Sequence, residues 1–86
     1  MSDYKYILFV LIQKNGAKKI TKTWEAHSSG IVLGTVKWWA HWRRYCFFPK
    51  PEMLFDANCL WDIADFCSRM TTEQKEDQAK RRGEKQ

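Results

Sequence analysis

The chain has few of the residues on which small secreted domains depend. Its 86 residues include three cysteines, Cys46, Cys59 and Cys67, and no two of them have C-x-x-C spacing. A disulfide-stapled scaffold is expected to carry an even and denser set, and a structural zinc site needs four ligands at regular spacings. We therefore expect reduced, mostly buried thiols and no bound metal.

Long apolar runs are lacking as well. The run from Tyr6 to Ile12 is far shorter than the roughly 20 residues of a membrane-spanning helix. It also has neither the basic flank nor the small-residue cleavage site of a secretory signal. The run is better interpreted as a buried strand, and we expect a cytoplasmic protein that does not enter a membrane.

Catalytic motifs are missing too. The chain has four glycines and no glycine-rich loop for phosphates, and its two histidines, His27 and His41, stand near predicted turns. Nothing in the sequence places a histidine beside a cysteine nucleophile together with a third group that orients it. We expect neither an enzyme nor a cofactor.

Aromatic residues are abundant instead. They make up 15% of the chain, with five Trp, five Phe and three Tyr. Because each aromatic side chain buries a large area, even a chain of this length can form a core without staples. We expect one domain over residues 1–70, followed by a polar tail, 71–86, that either extends a helix or is disordered.

The apolar pattern predicts an antiparallel sheet of four strands. The first is nearly continuous in apolar residues, which is typical of a strand covered on both faces. Asn15-Gly16 is a strong hairpin signal, Trp24 is expected to point inward, and Met53–Phe55 could add a fifth strand. The four predicted strands are Tyr4–Gln13, Lys18–His27, Ile31–Trp39 and Trp42–Phe48.

One helix is predicted after the strands, which gives the chain an α+β fold. Asp56 and Asn58 are both suitable N-caps. We expect an apolar stripe to lie on the sheet, with Asp62 and Asp65 on the side facing water. The stripe repeats at three- and four-residue spacing and consists of Leu60, Ile63, Ala64, Cys67 and Met70.

Charge is unevenly distributed along the chain. Residues 1–50 carry nine Lys and Arg against two acidic residues, a balance of +7, whereas residues 51–86 carry six basic and eight acidic residues, a balance of −2. A basic strand region suits an anionic partner. A merely solvated surface explains the same pattern equally well.

The most informative stretch is KWWAHWRRY, residues 37–45. If Trp39 pairs with Trp42 across the hairpin tip, Lys37 lies directly opposite Arg44. Like charges so placed destabilise a sheet by roughly a few tenths of a kcal/mol, and an anionic partner would relieve the repulsion. The inward face then consists of Val32, Gly34, Val36, Trp38, Tyr45 and Phe47.

The outward face of this hairpin combines cations with indoles. That composition is typical of protein–protein hot spots, and equally of platforms on which unpaired bases stack, at about 1–3 kcal/mol per base. Alternatively, Trp39 and Trp42 simply cover the helix or the first hairpin. The candidate partner-binding residues are Lys37, Trp39, His41, Trp42, Arg43 and Arg44.

Residues 31–67 resemble a family of small, uncharacterised phage and prophage proteins. The resemblance is carried by Leu33-Gly34, Lys37-Trp38, Trp42-Arg43, Tyr45-Cys46-Phe47-Phe48-Pro49, Phe55, Cys59-Leu60, Asp62-Ile63 and Phe66. It implies a mobile-element protein in the cytoplasm of a bacterial host cell. Such proteins often bind and inhibit a host factor, for example a CRISPR effector or another defence nuclease.

The expected function is therefore the binding of a host protein, which could be a nuclease or a nucleoprotein complex. Binding would inhibit or redirect that host protein. The alternative is binding of single-stranded nucleic acid by the basic, aromatic face of the sheet.

Overall fold

Four antiparallel strands and one long helix make up the fold, which a computed structural model describes over residues 4–14 and 21–81. The elements are β1 (Leu8–Lys14), β2 (Lys22–Ser28), β3 (Ile31–Trp39), β4 (Arg44–Pro49) and α1 (Ala57–Arg81). The strands follow one another in chain order, so β1 and β4 are the two edges of the sheet. The predicted α+β fold is confirmed. The Asn15-Gly16 turn and the end of the tail lie outside the described residues.

The turn between β2 and β3 has two residues, both with positive φ. Ser29 has a φ of 52° and Gly30 a φ of 80°, and Ser28 pairs with Ile31 on either side of them. Two-residue turns of this kind suit the right-handed twist of paired strands. This turn pairs Ser28 with Ile31 and His27 with Val32 before the register of the two strands shifts at a bulge.

Gly34 lies where β3 and β4 leave no room for a side chain. A Cβ at this position would lie 2.5 Å from the carbonyl oxygen of Phe48 and 2.8 Å from a ring carbon of Phe47. Beside it, the pairing of β2 with β3 shifts by one residue. Because of this bulge, Leu33 is buried in the core, whereas Val32, which was predicted to point inward, is only half-buried.

The core lies between the sheet and α1, and its centre is aromatic. The ring of Phe66 stacks on that of Phe9 with centroids 3.8 Å apart, and it meets the Trp24 indole edge-on at 5.0 Å. Trp24 is buried, as predicted. The other buried hydrophobic residues in the described part of the chain are Ile7, Ala26, Leu33, Val36, Tyr45 and Ile63.

The helix buries a different stripe from the one predicted. The prediction is correct at Ile63, Cys67 and Met70, which pack against the core. It is wrong at Leu60 and Ala64, which are exposed. Phe66, which the predicted stripe left out, occupies the centre of the core, because turning the helix to bury a phenyl ring removes more apolar surface from water. The stripe that faces the sheet runs through Cys59, Ile63, Phe66, Cys67, Met70 and Gln74.

The start of the helix is fixed by Asp56. One of its carboxylate oxygens accepts a hydrogen bond from the backbone N–H of Cys59 at 2.9 Å, which makes Asp56 rather than Asn58 the N-cap. The same hydrogen bond lowers the pKa of Asp56. The preceding segment, Met53–Phe55, is irregular and does not form a fifth strand.

The first strand is not covered on both faces, contrary to the prediction. The side chains of Leu8 and Val10 are 53% and 38% exposed. They point away from α1, since they pair with His27 and Glu25 while the neighbouring Phe9 pairs with buried Ala26. The helix covers one face of the sheet, and the other face is open. Within the described residues, α1 is not apolar enough along its length to cross a membrane.

Candidate binding site at the hairpin tip

The β3–β4 hairpin is paired two residues away from the predicted register. Trp39 pairs with Arg44, and Lys37 pairs with Cys46. The prediction was wrong because it placed Trp42 in a strand, whereas the connecting loop comprises all four residues 40–43. Lys37 therefore does not lie opposite Arg44, and repulsion between them is no argument for an anionic partner.

The two faces of the hairpin survive this correction. A shift by two residues leaves every strand side chain on its own side of the sheet, because side chains alternate with a period of two. Val36 and Tyr45 are buried beneath the helix. Lys37 and Trp39 lie on the open face. Phe48 lies on the same face, because it is two residues after Cys46, which pairs with Lys37.

The tip itself is a tight turn that Arg43 closes. The backbone N–H groups of Trp42 and Arg43 both donate to the carbonyl of Trp39, at 3.1 and 2.9 Å. Arg43 has a φ of 56°, a left-handed conformation that costs a residue with a Cβ about 1–2 kcal/mol and that glycine adopts freely. An arginine thus occupies a position where glycine would be less strained.

Trp42 is more exposed than the neighbouring Trp39, which is 38% exposed. The exposed fraction of Trp42 is 63%, against 8% for Trp24 in the core. The carbonyl of Trp42 accepts a hydrogen bond from Nε of Arg44 at 3.2 Å, which holds that guanidinium beside the turn. A large indole in water, followed in sequence by two arginines, has the composition found at the centre of protein interfaces.

An aromatic cluster on the open face continues from the turn. The Trp39 indole stacks on the His41 ring at 5.1 Å and meets the Phe48 ring edge-on at 6.1 Å. The Nζ atom of Lys37 lies 4.8 Å from the centroid of Phe48, a cation–π contact. Sequence reasoning left Phe48 out of the site, although the inward position predicted for Phe47 already places the next residue of the strand on the open face.

The six predicted site residues therefore occupy two adjoining surfaces. Trp42 and Arg43 form the turn. Lys37, Trp39 and His41 line the open face. Arg44 stands between these surfaces, because it pairs with Trp39 and hydrogen-bonds to the turn.

The positive charge of the tip is not neutralised by an ion pair in the described part of the chain. The ion pairs there join His27 to Glu25 and Arg69 to Asp65, and neither involves a tip residue. The described acidic side chains therefore do not pair with the cations of the tip.

A groove beside the tip adds to the positive charge. It lies between β4 and α1, and its lining residues include Arg44, Ser68, Thr72 and Lys75. Two cations and two hydroxyl groups can hold a carboxylate by charge and by hydrogen bonds. The groove therefore extends the basic surface from the turn onto the helix.

Two of the three thiols are held in the protonated form. All three cysteines are free and half-buried. Burial raises the pKa of Cys67 to about 12. The pKa of Cys59 is also raised, mainly by burial and to a smaller extent by its hydrogen bond with the Asp56 side chain. A raised pKa keeps a thiol protonated and therefore a poor nucleophile. In residues 4–14 and 21–81, no three potential ligands are grouped as a metal site requires.

Comparison of the chain with known protein families, with curated proteins and with solved structures found no match. The function has to be argued from the chemistry of the site itself.

Proposed function

We propose that this chain is a small, non-catalytic protein that binds an acidic surface of another protein through its hairpin tip. The observation that carries the proposal is the pair Trp42 and Arg43. The indole is 63% exposed, and the arginine beside it has a strained backbone. Neither feature stabilises the fold, so both are better explained by a partner.

The charge of the tip defines the chemistry of that partner. Arg43 and Arg44 follow the exposed indole in sequence, and Lys75 lines the adjoining groove together with Arg44. Arginine binds carboxylates in a bidentate way and stacks on aromatic rings, and together with tryptophan it is enriched at hot spots. An acidic patch with an apolar pocket for the Trp42 indole fits this surface.

The resemblance of residues 31–67 to phage and prophage proteins supports a bacterial host protein as the partner. A defence nuclease or a nucleoprotein complex presents acidic and nucleic-acid-like surfaces to which a basic tip can bind. Occupying such a surface would inhibit or redirect the host protein. The protein then acts as a stoichiometric inhibitor in the cytoplasm of the host.

The test is affinity capture from a nuclease-treated bacterial lysate with wild-type protein and two variants. Trp42→Ala removes the indole at the tip, and Trp61→Ala removes an indole that is 73% exposed near the start of α1. We expect Trp42→Ala to lose a host protein that wild-type and Trp61→Ala retain, with all three equally folded by circular dichroism. Retention by Trp42→Ala together with loss by Trp61→Ala would place the binding surface on the helix and refute the proposal.

A second function, binding of single-stranded nucleic acid, is favoured by the aromatic cluster on the open face. Trp39, His41 and Phe48 contact one another beside the cation of Lys37, and bases can stack on such rings. This function predicts that affinity for an oligonucleotide falls steeply with salt and is abolished by Lys37→Glu combined with Arg44→Glu. No shift in fluorescence anisotropy of a labelled oligonucleotide at low salt excludes it.

A further inference from the structure

Two hydrogen bonds fix the position of α1 beside the edge strand β4 and thereby shape the groove between them. The backbone N–H of Tyr45 donates to the hydroxyl of Thr71 at 2.9 Å, and this hydroxyl donates to the carbonyl of Cys67 at 2.7 Å. The groove has a volume of about 380 Å³, and sites for small ligands begin at roughly 300 Å³. It is therefore large enough for a small molecule or for one side chain of a partner.

The helix side of the groove carries a row of polar side chains. Ser68, Thr72 and Lys75 are four and three residues apart, so they are neighbours on the surface of α1, and all three are exposed. Within the described part of the chain, the Ser68 and Thr72 hydroxyls make no hydrogen bond, whereas the Thr71 hydroxyl makes the two bonds that fix the helix to β4. Two hydroxyl groups are thus available as donors to a ligand.

Lys75 supplies a positive charge that no neighbouring residue on the helix neutralises. The residues three and four positions away from it are neutral: Thr71, Thr72, Gln78 and Ala79. The acidic residues in this part of α1 each have another base three or four residues away. These sets are Glu73 with Arg69, and Glu76 and Asp77 with Lys80. The acids of this segment are therefore spaced to pair away from the groove, and the charge of Lys75 remains.

Arg44 supplies a second positive charge, on the strand side of the groove. Its Nε atom donates to the carbonyl of Trp42 at 3.2 Å, and this bond uses one of the five N–H donors of a guanidinium group. The ion pairs within residues 4–14 and 21–81 join other residues. The remaining N–H groups can therefore bind two oxygens of one anion side by side.

The charges and donors of the groove match a phosphate monoester better than a carboxylate. A phosphate monoester carries about −1.5 to −2 charges at pH 7 and three acceptor oxygens, whereas a carboxylate carries a single charge and two oxygens and would leave one cation unmatched. Among the described residues that line the groove, none is acidic. We propose that the groove between β4 and α1 is a binding site for a phosphate monoester, held by Arg44, Ser68, Thr72 and Lys75.

This inference goes beyond the proposed function, because Trp42 is not among the described residues that line the groove. A phosphate group can therefore bind whether or not the indole of the tip meets a partner. A partner that carries the group beside an acidic patch would contact the tip and the groove together, since Arg44 belongs to both.

Isothermal titration calorimetry with small phosphates tests this site. The probes are N-acetyl-O-phosphoserine amide and a 5′-phosphorylated trinucleotide, each compared with its unphosphorylated form, and acetate supplies a carboxylate alone. We expect dissociation constants near about 1 mM for the phosphorylated probes, as befits one charged group in an open groove. Acetate and the unphosphorylated forms should bind at least about tenfold more weakly. Tighter binding of one phosphorylated probe identifies the source of the group as a protein side chain or a nucleic-acid end.

Variants of the helix wall locate the bound phosphate. Lys75→Gln should weaken binding of the phosphoserine probe about fivefold. Thr72→Val, which replaces the hydroxyl by a methyl group, should weaken it about threefold, and Thr72→Ser should bind like wild type. The matched control is Lys80→Gln, the same change on the same helix outside the groove, and it should bind like wild type when circular dichroism shows equal helix content.

Three results would overturn the inference. One is the absence of binding heat up to about 10 mM phosphoserine probe, and another is equal affinity for acetate. The third is an affinity that both Lys75→Gln and Thr72→Val leave unchanged, since the anion would then lie elsewhere on this basic protein. The proposed function is tested separately, because these titrations need no partner protein and Trp42→Ala leaves the helix wall of the groove unchanged.

Discussion

The two faces of the sheet use the same residue types for different purposes. On the covered face, Trp24 and Phe66 contact each other in a layer from which water is excluded. On the open face, Trp39 and Phe48 also contact each other but remain beside water and beside the cation of Lys37. Aromatic content alone therefore does not separate a core from a binding surface. The helix makes the distinction, because it covers only one face.

Replacing the centre of the covered face should have the largest effect on stability. Phe66→Ala removes a ring that contacts Phe9, Trp24 and Tyr4, and such a loss in a core costs about 3–5 kcal/mol. Urea denaturation followed by tryptophan fluorescence measures it. A matched Phe48→Ala change on the open face should cost much less, and equal losses would mean that the two faces are equally structural.

The polar part of the covered face should show the next largest effect. The Tyr45 hydroxyl donates to Oε1 of Gln74 at 3.1 Å and accepts from the backbone N–H of Lys22 at 3.1 Å. Tyr45→Phe leaves Oε1 of Gln74 and the N–H of Lys22 without the hydroxyl as a hydrogen-bond partner, which should lower the free energy of unfolding by about 1–3 kcal/mol. Denaturant titration of this variant against wild type measures the difference. An unchanged midpoint would contradict the role given to the hydroxyl.

Alkaline pH should weaken the contact between the helix and the segment before β1. Burial and a 2.7 Å hydrogen bond to the Asp65 carboxylate raise the pKa of Tyr4 to about 12. A folded-state pKa above the unfolded value of 10.0 means that the contribution is complete below pH 10 and lost as pH rises through 12. The midpoint temperature of thermal unfolding should therefore fall more steeply between pH 9 and 12 for wild type than for Tyr4→Phe. Parallel curves would contradict this.

Relieving the strain at the tip should have a smaller effect, of opposite sign. Arg43→Gly places glycine in a left-handed conformation and should stabilise the fold by about 0.5–1 kcal/mol, since the relief of strain outweighs the added freedom of the unfolded chain. Ser29→Gly, at another exposed position of positive φ, is the control. Chemical denaturation should show both variants stabilised, and only Arg43→Gly should bind the captured partner less well. If Arg43→Gly and Ser29→Gly bound the partner equally well, the Arg43 side chain would not be part of the binding site.

The sequence predicted the elements of this fold better than their relations to one another. The boundaries of β3 and the inward position of Trp24 followed from alternation, which is a local property of a strand. The stripe of α1 was partly wrong at Leu60 and Ala64, because the direction in which a helix rolls depends on the layer it meets. A ring as large as that of Phe66 decides this direction, and spacing along the helix does not reveal it.

The site was predicted in composition but not in geometry. The register of the hairpin depends on the length of its loop, and KWWAHWRRY fits a two-residue or a four-residue connection equally well by apolar pattern. Only the backbone shows Arg43 in a left-handed conformation that closes the longer loop. The orientation of Phe48 did not depend on the register, since alternation from Phe47 already placed it on the open face; only its contacts with Trp39 and Lys37 had to come from the structure.

The most direct measurement determines both the stability and the binding of Trp42→Ala. If the exposed indole serves a partner and not the fold, its loss should change the free energy of unfolding by less than about 0.5 kcal/mol. The same change should weaken binding of the captured host protein at least about thirtyfold, the effect of a hot-spot residue. A destabilisation comparable to that of Phe66→Ala, or full binding by the variant, would show that the tip is part of the scaffold and that its charge and indole do not form the binding site.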